Sequence, residues 1–360
     1  MKAIKEIEQI LLDATLDGAF PGGNYAVVTK NKVWMGCIGN KELYPEIVPN
    51  SIDTIYDMAS LTKVVCTTTC LMQLVEKGLL RIFDPVSRYF KEFKFNNMTI
   101  WNLLTHTSGF PEGISGPKDR LTEQDVMDKI FSIEELLFKP GTKIVYSDIN
   151  YILLGKIIEM LSGMSLNEYA RINLFEPLGM KDSGYLPNDK LRCAATEYRN
   201  DATMNGYVKG EVHDETAYAM NKVAGHAGLF STVEDCTHFI QMILNDGTYN
   251  GKKILSKITI NELFKVQVKE YNGVETLPKA RCLGWQTKDP ASSAGELVSE
   301  NTILHTGFTG TNMFIDRDNE IGFVLLTNRV HPTRNNLKHL HVRACIANYI
   351  MAHLEEFKND

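Results

Sequence analysis

The sharpest local feature of the sequence is Ser60-Leu61-Thr62-Lys63, which places a hydroxyl and an amine three residues apart. On a helix, residues i and i+3 share a face, with Cβ atoms about 5 to 6 Å apart. A serine becomes a nucleophile when a base removes its proton, and lysine acts as that base when burial or a neighbouring cation disfavours its ammonium form. A helix N-terminus at Ser60 also favours developing oxyanion charge. The pair is therefore suited to acyl transfer.

The tetrapeptide alone leaves a second interpretation open, because serine is also a preferred N-cap residue. The same S-x-x-K spacing recurs at Ser115 and Lys118, where Gly116 and Pro117 prevent a helix from aligning the pair. The spacing thus arises by chance, and further motifs are needed to decide.

Two such motifs follow along the chain. Tyr146-Ser147-Asp148 comes after a Pro-Gly-Thr turn and opens a predicted helix, and His305-Thr306-Gly307 ends a strand-like run. In the order SLTK, YSD and HTG, the three motifs resemble the serine β-lactamase and penicillin-binding protein superfamily, especially its class C-like branch. The stretches LRIFDPVSRYF, LLTHTSGF, PLGMKDSGY and AGHAGLFST are similar to that branch as well. The resemblance covers roughly residues 20–328.

The resemblance implies a role for each matched residue. Ser60 would be the acylated nucleophile, Lys63 its proton partner, and Tyr146 the phenol that relays a proton to the leaving group. The backbone N–H groups of Ser60 and Phe308 would form the oxyanion hole, with Thr306 binding substrate beside them.

The HTG motif and one competing tyrosine complete this assignment. His305 and Gly307 would belong to the substrate-binding strand through the same motif. Tyr198 begins a second Y-x-N tripeptide, but it lacks the helix that follows Tyr146. We therefore assign the phenol to Tyr146.

Two departures from the family pattern change the expected chemistry. Asp148 stands where much of the family has Asn, and its carboxylate would hold Lys63 as a cation and shift the work of the base to Tyr146. His305 replaces the lysine of K-T-G, and an imidazole is largely neutral at pH 7. The sequence therefore predicts weak β-lactam turnover, better hydrolysis of simple esters or amides, and little preference for an anionic substrate.

A second polar group has two open interpretations. His213, Asp214 and Glu215, together with His226, would be pocket groups near the site or polar surface turns. Nothing in the spacing of His213, Asp214 and His226 defines a tetrahedral metal site, so neither a metal nor another cofactor is expected.

The elements that must position these residues follow from hydrophobic periodicity and turn signals. We predict a first helix over residues 1–16, a hairpin of strands 24–29 and 33–38, and a helix from Ser60 closed by Gly78. A helical insertion over residues 84–184 includes short helices at 99–109, 132–138 and 148–161. Three late strands at 303–306, 311–316 and 321–327 and a final helix at 335–355 follow. The two chain ends are expected to meet in one sheet.

The resemblance implies the fold class. We expect a mixed α/β (α+β) fold of the β-lactamase/transpeptidase-like type, with an antiparallel sheet flanked by helices and an all-helical lobe. Residues 1–83 and 200–360 would form a discontinuous α/β lobe, residues 84–199 the helical lobe, and the active site would lie in the cleft between them.

Composition excludes several classes of protein. The 360 residues carry 38 Lys and Arg against 44 Asp and Glu, a net charge of −6, and no basic tract suits a nucleic-acid partner. No apolar run is long enough to cross a membrane, and no secretory signal pattern is seen. Seven scattered cysteines favour reduced thiols and a cytoplasmic location.

These observations predict a serine hydrolase that forms an acyl-enzyme on Ser60 and hydrolyses an ester or amide. Alternatives are a D-amino-acid peptidase or muropeptide amidase in cell-wall recycling, and a catalytically weak penicillin-binding protein that acts as a binder. The substrate would be a small molecule or short peptide. The sequence leaves its identity and the oligomeric state open.

Overall fold

The computed structural model describes residues 1–116, 118, 120–270, 279–290 and 292–359. Its strands form one large sheet and three small ones. In chain order the strands are β1 Gly22–Thr29, β2 Val33–Glu42, β3 Val48–Pro49, β4 Tyr56–Asp57, β5 Gly184–Tyr185, β6 Ala195–Asn200, β7 Asn205–Lys209, β8 Leu229–Ser231, β9 Thr248–Tyr249, β10 Lys252–Lys253, β11 Val268–Glu270, β12 Lys279–Arg281, β13 Gln286–Thr287, β14 Thr302–Thr306, β15 Asn312–Asp316 and β16 Ile321–Thr327.

The helices fall mostly between the strands of the large sheet in sequence. They are α1 Lys2–Leu16, α2 Thr69–Glu76, α3 Ile100–Leu104, α4 Glu123–Phe131, α5 Asp148–Ser162, α6 Leu166–Ala170, α7 Glu176–Leu178, α8 Glu215–Ala219, α9 Val233–Leu244, α10 Lys257–Phe264, α11 His339–Ala352 and α12 Leu354–Asn359. Two segments, Lys63–Thr68 and Arg171–Phe175, are π-helical, and Val86–Arg88 and Lys190–Arg192 are 3-10 helices.

The large sheet is antiparallel and joins both ends of the chain. Its order is β11-β12-β13-β14-β15-β16-β1-β2-β3. Strand β1 pairs with the late strand β16, with Tyr25 opposite Leu325, and on its other side with β2. The predicted hairpin and the predicted meeting of the two chain ends are therefore confirmed.

Each face of this sheet packs against its own apolar layer, because successive side chains of a strand point to opposite faces. Ala26 and Val28 belong to the larger core, which includes most of the buried residues of α2, α5 and α9. Tyr25 and Val27 belong to the smaller core, shared with α1 and α11. The late strands are thus covered on both faces, which fixes the strand that carries the HTG motif.

One predicted helix is wrong. Residues 132–138 do not form a helix, and α4 ends at Phe131. The Leu137 N–H donates instead to the carbonyl of Gly109, and a Cβ atom on Gly109 would lie only 2.0 Å from the carbonyl oxygen of Phe138. Close backbone packing against the LTHTSGF stretch therefore replaces the helix that the apolar spacing predicts.

The final helix also begins later than predicted. Residues 335–338 precede α11, and His353 separates α11 from α12. The carbonyls of Arg334 and Asn336 accept hydrogen bonds from the Arg329 guanidinium, at 2.7 and 3.0 Å, rather than from a helix ladder.

The lobe boundaries at residues 83/84 and 199/200 stay a prediction. In the described part of the chain, no single helix is long and apolar enough to cross a membrane, and only the bent pair Asp148–Ser162 with Leu166–Leu178 meets that criterion jointly.

Candidate active site

Ser60 lies on a strained turn between β4 and the helix that follows. Ala59 has a left-handed backbone with φ of +46°, which is uncommon for a residue with a side chain. The Ala59 N–H donates to the Asp57 carboxylate at 2.8 Å, which holds this conformation. Burial raises the pKa of Asp57, whose two oxygens both accept backbone N–H groups. These hydrogen bonds therefore hold the turn that carries Ser60 in one conformation.

Lys63 is fully buried at the start of the π-helical segment Lys63–Thr68, and its ammonium group contacts several polar atoms. Its Nζ lies 3.0 Å from Ser60 Oγ, 2.9 Å from the carbonyl oxygen of His226 and 2.7 Å from Asp148 Oδ1. The i, i+3 pairing predicted from the sequence is therefore formed. The Ser60 hydroxyl accepts this hydrogen bond from the Lys63 ammonium.

Charge decides the protonation state of Lys63. Burial favours the neutral amine, but the Asp148 carboxylate and the Tyr146 phenol together outweigh it and raise the pKa of Lys63. Lys63 is therefore an ammonium ion at neutral pH, as the presence of Asp148 predicts.

Tyr146 lies beside this ammonium, with its ring centroid 5.0 Å from Lys63 Nζ. The ring stacks on His106 at 4.5 Å, and His106 Nδ1 accepts the Ser147 N–H at 3.1 Å. The imidazole thus orients the segment that carries both Tyr146 and Asp148. The competing Tyr198 lies on β6, is about half exposed and hydrogen-bonds Asn205.

His305 and Thr306 end strand β14. In the described part of the chain, the pairing of β13 with β14 stops at Leu304, so both residues lie beyond the last pair on that side. His305 Nδ1 donates to the Thr306 carbonyl at 2.8 Å. Burial, with Arg281 and Lys63 nearby, lowers the pKa of His305 to about 3. The imidazole is therefore neutral, as predicted, and its buried Nε2 has no hydrogen-bond partner among the described residues.

The turn after β14 packs directly on the Ser60 turn. A Cβ atom on Gly307 would lie 2.1 Å from Thr311 Oγ1 and 2.6 Å from the carbonyl oxygen of Met58, so only glycine fits. Thr309 Oγ1 donates to the Asp57 carbonyl at 2.7 Å. The Gly310 N–H closes the turn on the Gly307 carbonyl at 3.1 Å.

This closure also orients the first peptide of the turn. Because C=O and N–H point in opposite directions across a trans peptide, the Phe308 N–H points away from the turn interior. Phe308 itself lines the cavity beside Ser60.

A cavity of about 330 Å³ opens beside Ser60 and contains residues that the motif analysis missed. Its lining includes the predicted Ser60, Tyr146, His305, Thr306, Gly307 and Phe308. The missed residues are Arg281, Gln286, Arg329, Leu337, His339, Leu340 and Arg343. The described lining contains no Asp or Glu.

The arginines overturn the expectation of a site with little positive charge. Arg343 is 4% exposed and makes no ion pair with any described residue. Its Nη2 donates to the Gly307 carbonyl at 3.4 Å, and its Nε has no hydrogen-bond partner among the described residues. Burial, with Arg329 nearby, lowers the pKa of Arg343 to about 9, so the guanidinium stays charged at neutral pH. His339 and Arg343 are four residues apart on α11, and this helical spacing was the available signal.

The polar group His213, Asp214, Glu215 and His226 lies outside the lining of this cavity. His213 and His226 are buried, at 4% and 0% exposure, so the interpretation as surface turns is wrong for them. His226 Nε2 lies 2.9 Å from Asp214 Oδ1, and His213 Nε2 lies 3.0 Å from Glu197. Glu215 pairs with Arg334 at 2.7 Å. None of Asp214, Glu215 or His226 lines the cavity beside Ser60.

One group of possible metal ligands lies next to Lys63. Donor atoms of Asp148, Asp214 and His226 lie within 4.8 Å of one another. Asp148 already pairs with the Lys63 ammonium, and His226 Nε2 with Asp214. A cation there would face the Lys63 charge, so the donor set does not suit a metal.

Comparison with known proteins identifies the class. A family model described as Beta-lactamase matches residues 4–348. A relative from Salmonella typhimurium named "Putative D-alanyl-D-alanine carboxypeptidase" is 31% identical, over 90% of this chain and 82% of its own length.

Solved structures are similar over nearly the whole chain at low identity. EstCE1, a hydrolase with promiscuous acyltransferase activity, is 18% identical with a TM-score of 0.78 over 97% of this chain and 98% of its own. A penicillin-binding protein homologue from Caulobacter crescentus is 17% identical with a TM-score of 0.78 over 98% of both chains.

The protein is a serine hydrolase that acts on esters or amides. It belongs to the beta-lactamase family. The predicted family and its β-lactamase/transpeptidase-like fold are confirmed; the class C-like branch stays a prediction.

Proposed function

We propose that the protein hydrolyses a small amide or ester through an acyl-enzyme on Ser60, with an anionic group of the substrate bound beside the scissile bond. The Lys63 ammonium contact to both Ser60 Oγ and Asp148 carries the first part of this proposal. The buried Arg343, which makes no ion pair with a described residue and whose Nε has no hydrogen-bond partner among them, carries the second.

Tyr146 is the base in this mechanism, because a lysine held as an ammonium cannot take a proton. Ser60 Oγ attacks the carbonyl carbon, and its proton passes to Tyr146, whose phenolate the Lys63 charge stabilises. The same proton then moves to the leaving alcohol or amine as the C–O or C–N bond breaks. A water molecule then attacks the acyl-enzyme and gives a proton to Tyr146, which passes it to Ser60 Oγ as the Oγ–C bond breaks and the acid is released.

The oxyanion of each tetrahedral intermediate is held by the backbone N–H groups of Ser60 and Phe308. These donors lie on two turns joined by Thr309 Oγ1 and Thr311 Oγ1, which bind the carbonyls of Asp57 and Met58 at 2.7 and 3.0 Å. Donors fixed before the reaction cost no reorganisation during it.

Arg343, with Arg329 and Arg281 on the same cavity, selects the substrate charge. A buried guanidinium without a carboxylate partner carries a desolvation cost that an anionic ligand group offsets. A carboxylate on the leaving group, as at the end of a short peptide, fits this requirement. The name of the Salmonella typhimurium relative supports this substrate class and brings the D-amino-acid peptidase ahead of the simple esterase.

The nucleophile is tested by mass spectrometry after fluorophosphonate treatment. We expect one adduct on Ser60 in the wild type, none in Ser60→Ala, and loss of ester and amide turnover in that variant. An unlabelled wild type without turnover would contradict the proposal and favour the non-catalytic binder. A substrate panel that adds D-Ala-D-Ala peptides, muropeptides and nitrocefin separates the peptidase, the muropeptide amidase and the β-lactamase.

The charge preference is tested with a matched pair of esters, a 3-carboxyphenyl acyl ester and its neutral 3-carbamoylphenyl analogue. We expect the wild type to prefer the charged ester by about tenfold or more in kcat/KM, since charge-assisted hydrogen bonds contribute about 1.5 to 3 kcal/mol. Arg343→Gln should remove most of this preference, whereas Arg171→Gln, an exposed arginine paired with Glu176, should keep it. Equal rates on both esters in the wild type would rule out the anion site.

We also keep the cytoplasmic location as a proposal. All seven cysteines are free thiols and five of them are buried, which suits a reducing compartment. Cell fractionation with a tagged full-length protein tests it, and recovery outside the cytoplasmic fraction would contradict it.

A further inference from the structure

The side chain of Phe308 is held by neighbours although it is 49% exposed. Its ring stacks on the His213 imidazole, with centroids 5.7 Å apart and planes 23° from parallel. The Arg329 guanidinium carbon lies 4.4 Å from the centre of the same ring, and Arg329 Nε donates to the Phe308 carbonyl at 2.8 Å. Both the ring and the backbone of this residue are therefore fixed.

His213 is itself tied to the turn that carries Ser60. Its backbone N–H donates to Asp57 Oδ2 at 2.7 Å, while Asp57 Oδ1 accepts the Ala59 N–H at 2.8 Å. One buried carboxylate thus links the residue before Ser60 to the residue that stacks on Phe308. The His213 ring is held in place by Glu197, whose Oε2 lies 3.0 Å from Nε2.

Arg329 is held with equal specificity. Its Nη1 donates to the carbonyls of Arg334 and Asn336 at 2.7 and 3.0 Å. Arg334 pairs in turn with Glu197, the carboxylate that also binds His213. His213 and Arg329 therefore belong to one connected network, and the Arg334 guanidinium of that network also lies over the Phe308 ring, 5.8 Å from its centre.

We propose that His213 and Arg329 are positioning residues, which hold the Phe308 backbone amide in line with the Ser60 amide by fixing the Phe308 ring and carbonyl. The turn they act on contains Gly307 and Gly310, whose backbones have more conformational freedom than those of other residues. The Gly310 N–H and Arg343 Nη2 donate to the Gly307 carbonyl, and so hold the residue before Phe308 rather than Phe308 itself. Holding Phe308 therefore removes motion from the peptide that donates to the oxyanion. This inference rests on the proposed function, because it assigns the Phe308 N–H to the oxyanion hole.

The test is a double-mutant cycle between each positioning residue and the Phe308 ring. His213→Gln, Arg329→Gln and Phe308→Leu are made singly and as the pairs His213→Gln/Phe308→Leu and Arg329→Gln/Phe308→Leu. For each we measure kcat and KM on a neutral p-nitrophenyl ester and the inhibition constant of phenylboronic acid, whose tetrahedral adduct occupies the oxyanion hole. A neutral ester separates these effects from the charge preference of the arginines.

We expect each single substitution to lower kcat by about tenfold, less than the 10² to 10³ that follows loss of a whole oxyanion donor, with KM within about threefold. Boronate affinity should fall by a similar factor. Each pair should be no worse than Phe308→Leu alone, since His213 and Arg329 act through that ring. His213→Phe, which keeps an aromatic stack without the Glu197 contact, should restore most of kcat.

Two remote stacks of the same kind serve as controls. His353→Gln removes a histidine stacked on Tyr349, and Arg317→Gln removes an arginine over Phe264, at the end of β15 opposite to the HTG turn. Both should keep wild-type kcat. Thermal unfolding of every variant separates loss of fold from loss of positioning, and any variant with less folded protein is compared per folded molecule.

Additive losses in both cycles, or His213→Phe as poor as His213→Gln, would overturn this inference while leaving the proposed function intact. A wild type that neither turns over esters nor labels Ser60 would overturn both.

Discussion

Lys63 illustrates how two opposing effects on one side chain determine the chemistry of a site. Its side chain is completely buried, which by itself disfavours an ammonium. Asp148 at 2.7 Å and Tyr146 restore the charged form. In the proposed mechanism the ion pair removes lysine as a free base and gives the phenol that role, so a single carboxylate in place of an amide would redistribute the proton transfers.

Asp148→Asn removes the charge and keeps the size of the side chain. Because burial then dominates, the pKa of Lys63 should fall, and kcat/KM of the variant should decline with rising pH below pH 11. The wild type, whose Lys63 pKa is raised above 10.5, should lose no activity through Lys63 in that range. Steady-state rates between pH 6 and 11 measure this difference. Asp148→Glu retains the charge and serves as the control.

A faster Asp148→Asn enzyme at neutral pH would identify neutral Lys63 as the base and contradict the mechanism. A variant whose kcat/KM follows that of the wild type up to pH 11 would show that Asp148 does not control Lys63.

At the scale of elements, the segment Gly225-His226-Ala227-Gly228 packs between the π-helical segment Lys63–Thr68 and α5. A Cβ atom on Gly225 would lie 2.0 Å from the carbonyl oxygen of Tyr151 and 3.0 Å from Gly155 Cα. Thr67 Oγ1 donates to the Gly225 carbonyl at 2.6 Å, and the next carbonyl, that of His226, binds Lys63. Close backbone packing at Gly225 therefore places the His226 carbonyl within hydrogen-bond distance of Lys63.

Gly225→Ala should destabilise the protein by about 1 to 3 kcal/mol, because the contacts it creates are with backbone and cannot be relieved by a rotamer change. It should also lower kcat in the folded fraction, since the His226 carbonyl shifts. Chemical denaturation and ester turnover measure the two effects. Gly113→Ala, a glycine with open space around it, should change neither; a Gly225→Ala enzyme as stable as Gly113→Ala would contradict the packing argument.

At the scale of the whole molecule, several histidines are buried as neutral rings. Burial, with nearby cations, lowers the pKa of His305 and of His339 to about 3, and that of His106 well below 6.5. Below pH 6.5 the unfolded chain therefore binds protons that the folded chain does not. The resulting stability is complete above pH 6.5 and is lost as the pH falls toward 3.

His339→Gln removes one of these groups from the balance. The free energy of unfolding of the wild type should fall faster with acid than that of the variant, by about 1.4 kcal/mol per pH unit below 6.5. Urea unfolding at pH 7, 6, 5 and 4 measures the two slopes. His341→Gln, exposed on the same helix, should follow the wild type. Parallel slopes for wild type and His339→Gln would contradict a neutral buried His339.

Predictions from the sequence agree with the structure where they concern contacts between residues close together in the sequence. Ser60 and Lys63 are joined by helical spacing, and Asp148 was expected to charge Lys63. Strands β14, β15 and β16 follow the predicted apolar runs because both of their faces are buried. The helix predicted at residues 132–138 is wrong because the Leu137 N–H donates to the Gly109 carbonyl, which is distant in sequence and not part of any local pattern.

The sequence by itself indicated the family and proposed the Ser60, Lys63 and Tyr146 set, because its motifs resemble those of that family in type and order. It also predicted the sheet built from both chain ends, because apolar runs of strand length lie near each end. Only the tertiary structure brought Arg281, Arg329 and Arg343 together on one cavity, and buried His213 and His226 behind it. The arginines come from β12, the segment after β16, and α11, so no local pattern links them. The charge of the pocket is a sum over distant segments, and it therefore differs from the charge that the HTG motif alone predicts.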